Sequence, residues 1–248
     1  MKIAVVNFSG NVGKSTVARH LLLSRIRGAE LIAVESSNAY EGHSRGQALR
    51  GRQFGELQEY LQTVDNVVVD VGASNIEDLL ELMHRYRNSH EDFDCFIVPT
   101  VPAVKQQQDT IATLAELARI GVPPSRIRLV FNMVEHHADP HQAFEHLLAF
   151  VRERPVVQAN LACRLNVNEI YARLRGKGSD LSTLARDDTD YKALIVKARD
   201  VDEKLALAQK LATRRLASGV VPELDACFAA LSLAADIERA EPAPEQAA

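Results

Sequence analysis

The stretch Asn7-Phe8-Ser9-Gly10-Asn11-Val12-Gly13-Lys14-Ser15-Thr16 follows a short apolar run, Ile3-Ala4-Val5-Val6, and opens a segment in which Val17, Ala18, Leu21 and Leu22 recur at helical spacing. A strand, a glycine-containing loop and a helix, in that order, are the setting of a phosphate-binding loop. Successive backbone N–H groups from Gly10 to Lys14 can curl around a phosphate. The Lys14 ammonium adds a point charge toward the β/γ oxygens, and the Ser15 hydroxyl is placed to hold Mg2+. Gly10, Asn11, Val12, Gly13, Lys14, Ser15 and Thr16 are therefore the expected nucleotide contacts. The spacing departs from the common one, because Phe8 stands where a glycine is usual. An ordinary helix cap with a solvated Lys14 is the bland alternative, and the strand before and helix after weigh against it.

With 248 residues, 46% of them hydrophobic and 25% charged, the chain is large enough for one sizeable α/β domain and needs no second one. A single nucleotide-binding domain over 1–240, including C-terminal covering helices, is expected. Residues 241–248, Glu-Pro-Ala-Pro-Glu-Gln-Ala-Ala, have the composition of a disordered tail. The net charge of −4 argues against a constitutively basic nucleic-acid binder, so any DNA contact would be local. Cys95, Cys163 and Cys227 are odd in number and far apart, which fits neither a disulfide framework nor a metal spacing and points to the cytoplasm. His136, His137 and His141 read as a polar loop. No apolar run approaches the ~20 residues of a spanning helix, so no integral membrane association is expected.

Apolar, β-branched runs recur at 3–6, 31–34, 67–71, 96–98, 127–131 and 156–157, separated mostly by helical periodicity such as 76–86 and 104–120. In the second of these helices the apolar stripe is Ile111, Leu114, Leu117 and Ala118. The alternation predicts a three-layer α/β fold, a mainly parallel sheet with helices on both faces. Ligands of such sheets bind beyond the carboxyl ends of the strands, so the residues found there are read together. Asp70 closes an apolar run before Val71-Gly72 and is the expected carboxylate for the Mg2+ shell. Gly72 would let the backbone approach the γ-phosphate. Glu35, the carboxylate at the end of the second run, is the candidate for orienting a water or a metal ligand. Asn132 follows the fifth run, where its amide is suited to a purine edge.

Taken together, Asn-Phe-Ser-Gly-Asn-Val-Gly-Lys-Ser-Thr at 7–16, Val-Val-Val-Asp-Val-Gly-Ala-Ser at 67–74, Val-Pro-Thr-Val-Pro at 98–102 and Phe-Asn-Met-Val at 131–134 resemble the ParA/MinD group of deviant phosphate-loop ATPases. Within it the chain is most similar to the StbB-type plasmid stability proteins, also described as TraL-like and conjugation-associated, over about residues 1–215. The resemblance implies an ATP- and Mg2+-dependent switch that cycles between ATP and ADP, forms a homodimer across the nucleotide, hydrolyses slowly and acts with a plasmid-encoded DNA-binding partner. Lys14, Glu35 and Asp70 are then the catalytic set, with Ser15 and Asp70 on the metal. The family's loop reads Lys-Gly-Gly-x-Gly-Lys-Ser/Thr; here Ser9 replaces the first lysine, which in the family reaches the facing subunit, and Asn11 replaces the second glycine. The family's Asp-x-Asp after the second strand is here Glu35-Ser36-Ser37.

Three functions follow from these readings. The first is an ATP-binding plasmid partition or stability protein with weak turnover. The second is a nucleotide-gated adaptor without significant hydrolysis, favoured by the missing acid at Ser37. The third, a metabolite kinase or ligase, lacks any second cluster of paired acids or histidines. Arg45, Arg50 and Arg52, in a glycine-rich stretch, could supply the positive charge that Ser9 lacks, or face DNA directly. The segment 201–215 reads as a covering helix, and the acidic residues Asp236, Glu238 and Glu241 that follow disfavour an anionic lipid surface.

Overall fold

The computed structural model describes residues 1–34, 48–49, 54–176 and 180–233. Five β-branched runs and two short edge segments form a parallel sheet: β1 (Lys2–Val5), β2 (Glu30–Val34), the edge strand β3 (Ala48–Leu49), β4 (Val67–Val71), β5 (Cys95–Thr100), β6 (Ile127–Val134) and the edge strand β7 (Arg164–Asn166). Their order across the sheet is β3-β2-β4-β1-β5-β6-β7, and every pairing is parallel. Parallel neighbours need long crossovers, which the helices supply. Along each strand side chains alternate between the faces, and two cores result. Ala4, Val69, Phe96, Val98, Leu129 and Phe131 point to one face, which is covered by α2 (Phe54–Leu61), α3 (Ile76–Arg85), α4 (Val104–Arg119), α5 (Pro140–Ala143) and α6 (Glu145–Glu153). Ile3, Val5, Val68, Ile97 and Val130 point to the other. That face is covered by α1 (Lys14–Thr16) with its π-helical continuation Val17–Leu23, then α7 (Ile170–Leu174), α8 (Leu181–Arg186) and α10 (Val201–Leu231). The expected three-layer α/β architecture is what the chain adopts.

Two sequence expectations are corrected. Residues 156–157 are not a strand. They follow Pro155 in a turn, with the Val156 N–H donating to the Arg154 carbonyl at 2.7 Å, and Val157 is buried in the core from that turn. The strand that closes this edge is β7, whose Arg-Leu-Asn carries a single apolar residue. The buried face of α4 is Gln107, Thr110, Thr113, Leu114 and Leu117; Ile111 is half-buried and Ala118 exposed.

The segments around 201–215 and 220–231 are one helix, α10, which runs through Gly219 and Pro222. A proline removes one helical N–H and strains the preceding turn. Here Ala217, Val220, Leu224, Cys227 and Leu231, all buried against the sheet, hold the helix together across it. The shorter helix α9 (Tyr191–Lys197) precedes α10, and Asp180, Asp190 and Asp200 cap α8, α9 and α10 through backbone N–H groups. Among the described residues no helix is long and apolar enough to cross a membrane.

Candidate functional site

The carboxyl end of β1 lies between those of β4 and β5, and Val5 pairs with Asp70 in register. The loop that leaves β1 therefore emerges beside Asp70. Asp70 has the parity of Val68 and so faces the side covered by α1, where Lys14 begins the helix. Sequence alternation alone thus delivers the carboxylate to the lysine's side of the sheet. Both groups are buried, Asp70 at 4% and Lys14 at 8% exposure.

The Lys14 ammonium folds back over its own loop, donating to the carbonyls of Asn7 at 3.0 Å and Ser9 at 2.6 Å. Burial lowers its pKa from the usual lysine value to about 8, and the nearby Asp70 charge opposes that shift.

The loop backbone is shaped by two left-handed residues, Asn11 at φ 58° and Gly13 at φ 86°. Among residues with a side chain, asparagine is one that best tolerates this conformation. Asn11→Gly is therefore expected to bind ATP as the wild type does. Asn11→Val should lose about tenfold in affinity, since a β-branched residue resists positive φ by ~1–2 kcal/mol. Equal affinity of the valine variant in equilibrium titration would show that the left-handed turn is not required.

Gly13 caps α1 with its carbonyl, which accepts the Val17 N–H at 2.9 Å. Beneath it lies Asn132, 2% exposed, whose Nδ2 donates to the Val12 carbonyl at 2.9 Å. The structure thus places the Asn132 amide against the underside of the loop rather than turned outward toward a purine edge. A register shift between Phe131 and Val134, with Met133 at φ 54°, lets Asn132 and Met133 leave β6 in different directions. Met133 is 41% exposed beside Gly13.

Among the described residues, the N–H groups of Gly10, Asn11, Val12 and Gly13 have no partner within the protein. Unpaired, clustered amides ahead of a helix N-terminus form an anion cradle. Ser15 is exposed in the first turn of that helix, and Thr16 is half-buried behind it. The structure therefore brings together Gly10, Asn11, Val12, Gly13, Lys14, Ser15, Thr16, Asp70 and Asn132. Glu35, Ser36, Ser37, Arg45, Arg50, Arg52 and the tail at 241–248 lie outside the described residues. Asn7, Thr110 and Thr113, which sequence reasoning left out of the site, hold the start of the loop.

Cys95, Cys163 and Cys227 are buried and not joined in a disulfide. Burial raises the thiols of Cys163 and Cys227 to about 11 and about 12. Such groups stay protonated and inert. Among the described residues no cluster of histidine, cysteine and acidic side chains could hold a metal ion by itself.

No protein-family model matches this chain, and no curated protein matches it. Solved structures do. The MinD cell division protein of Aquifex aeolicus is similar over 87% of this chain and 96% of its own, at 13% identity and a TM-score of 0.51. The septum site-determining protein MinD of Pyrococcus horikoshii, complexed with Mg-ADP, is similar over 88% of this chain and 95% of its own, at 14% identity and a TM-score of 0.49. The apo form of McdA from Cyanothece matches over 85% of this chain and 98% of its own, at 16% identity and a TM-score of 0.49. At this identity, what the chain shares with the Aquifex aeolicus MinD is the fold, a parallel sheet covered by helices on both faces.

Proposed function

We propose that this chain is an ATP-binding switch of the ParA/MinD type that serves plasmid partition or stability, in the manner of the StbB/TraL-like proteins its motifs resemble, and that it hydrolyses ATP weakly. The observation that carries the reading is the loop itself: unpaired amides of Gly10 to Gly13 next to a buried Lys14, with Asp70 across from it. A triphosphate would take over the ammonium that the loop carbonyls of Asn7 and Ser9 now hold. Ser15 and Asp70 would hold Mg2+, which when bound draws off charge from the β and γ oxygens. ATP and ADP, a second copy of the chain and a plasmid-encoded DNA-binding protein are the partners this reading requires. One domain over 1–240, acting in the cytoplasm, is the unit.

A nucleotide-gated adaptor without turnover is the second reading, and Ser9 favours it. At the position of the family's intersubunit lysine, Ser9 is 5% exposed, its N–H donates to Asn7 Oδ1 at 2.7 Å, and its carbonyl accepts from Lys14. The residue is spent within its own loop. Glu35 is the remaining candidate for positioning the attacking water.

Equilibrium titration with ATP and ADP, with and without Mg2+, tests the switch, and single-turnover phosphate release separates it from the adaptor. Failure to bind either nucleotide would end both readings. Asp70→Asn is expected to keep much of the Mg2+-free affinity but to lose about tenfold of the gain that Mg2+ confers, as removal of a group supporting a metal does. An unchanged Mg2+ response would make Asp70 structural.

A further inference from the structure

The entry half of the loop is held by a helix that belongs to the other face of the sheet. Asn7 Nδ2 donates to the Pro99 carbonyl at 2.8 Å and to Thr110 Oγ1 at 2.8 Å, while the Phe8 N–H donates to Thr113 Oγ1 at 3.0 Å. The Asn7 Oδ1 accepts the Ser9 N–H. Thr110 and Thr113 are three residues apart on α4 and therefore share a face, and both are fully buried. Two buried hydroxyls are costly unless bonded.

Each threonine is oriented by its own helix. Thr110 Oγ1 lies 2.7 Å from the Gln106 carbonyl and Thr113 Oγ1 lies 2.8 Å from the Asp109 carbonyl. A hydroxyl has one proton and two lone pairs. With the proton committed backward into the helix, each oxygen is presented to the loop as an acceptor. Thr110 has a second lone pair for the Thr100 hydroxyl, 3.1 Å away at the end of β5.

One turn earlier, Gln107 fastens α4 in the opposite direction. Its Nε2 donates to the carbonyls of Pro102 at 2.7 Å and Ala143 at 2.9 Å, and its Oε1 accepts the Leu147 N–H at 3.1 Å. The helix is thus tied at one point to the loop and at another to α6. Its outward side carries Val104, 49% exposed, with Lys105 and Gln108 also exposed.

We propose that Thr110 and Thr113 are positioning residues for the nucleotide loop, acting through Asn7 and the Phe8 amide, and that through them α4 responds to whether the loop is occupied. This rests on the nucleotide-binding reading above. When phosphates draw Lys14 off the carbonyls of Asn7 and Ser9, the Asn7–Phe8 peptide is released at its carbonyl, while Thr113 holds its N–H and Thr110 holds the Asn7 side chain.

Hydrogen exchange of the full chain with and without Mg-ATP, combined with ATP titration of T110V, T113V, T110S and T113S, tests this. ATP is expected to slow exchange over residues 104–119 in the wild type. Each valine variant should bind ATP about tenfold more weakly, the cost of an unsatisfied buried donor, while the serine variants, which keep the hydroxyl, bind as the wild type does. At saturating ATP the double variant T110V/T113V should lose the slowing over α4. Wild-type affinity in both valine variants overturns the proposal. So does ATP binding by the wild type with exchange over α4 unchanged, an outcome that needs no variant to fold. A wild-type chain that binds no nucleotide overturns this inference together with the function it rests on.

Discussion

Gly13→Ala is expected to abolish detectable ATP binding and to destabilise the chain by about 2–5 kcal/mol, the sum of left-handed strain on a residue with a Cβ and a broken buried hydrogen bond. At φ 86° any L side chain is strained, and a Cβ there would sit 2.1 Å from Asn132 Nδ2. That nitrogen cannot simply move aside, because Asn132 is 2% exposed and donates to Val12. Either the amide is expelled from beneath the loop or the loop lifts away from it. In both cases the amides of Gly10 to Gly13 no longer converge. Denaturant unfolding measures the first effect and equilibrium titration the second. The double variant G13A/N132A gives a sharper check: removing the Asn132 amide relieves the clash but not the strain, so the double should be less destabilised than the sum of the singles. Additivity would mean that the two residues do not oppose each other as the geometry requires, and wild-type ATP affinity in Gly13→Ala would remove the loop from consideration as a phosphate site.

Much of this site was legible in the sequence because its logic is local. The proposed phosphate loop needs only neighbours along the chain: a β-branched run before, helical spacing after, and glycine, lysine and serine between. Asp70 was legible for the same reason, as a carboxylate at the end of Val67-Val68-Val69, and strand parity then puts it on the Lys14 side. Asn132 was found by its position, but its partner, the Val12 carbonyl, lies 120 residues earlier in the chain. Nothing near position 132 reveals that bond. Thr110 and Thr113 carried a signal that apolar periodicity passes over. They are hydroxyl residues on the face of α4 that continues into Leu114 and Leu117, whereas counting hydrophobes alone rotates the stripe toward Ile111 and Ala118. β7 had little local signal: three residues at a sheet edge, with only Leu165 apolar, are defined by their pairing with β6. The continuity of α10 through Pro222 was likewise decided by burial against the sheet rather than by helix propensity.

Lys14→Ala is expected to lower ATP affinity by at least about a hundredfold, the loss of a charge-assisted contact worth ~3 kcal/mol, without lowering the melting temperature. The second half of this expectation is the more discriminating. A lysine buried at 8% exposure, with its pKa reduced to about 8, is held charged at neutral pH against the preference of its surroundings. In the unfolded chain its pKa is near 10.5. Between those two values the unfolded state binds more protons than the folded state, so the free energy of unfolding rises with pH across that window. Below about pH 8 the buried charge is a cost of folding, which the carbonyls of Asn7 and Ser9 offset only in part. Alanine removes the cost, and the stability difference between variant and wild type should shift in favour of the wild type as pH climbs from 8 toward 10. Nucleotide binding has the opposite dependence on pH. Phosphate oxygens stabilise the ammonium and pull its pKa back up, so wild-type affinity should fall above about pH 8, and binding at pH 8.5 should take up protons from the buffer. Calorimetric titration in buffers of different ionisation enthalpy measures that uptake. Lys14→Ala should show none, and an uptake equal to that of the wild type would mean that another group faces the phosphates.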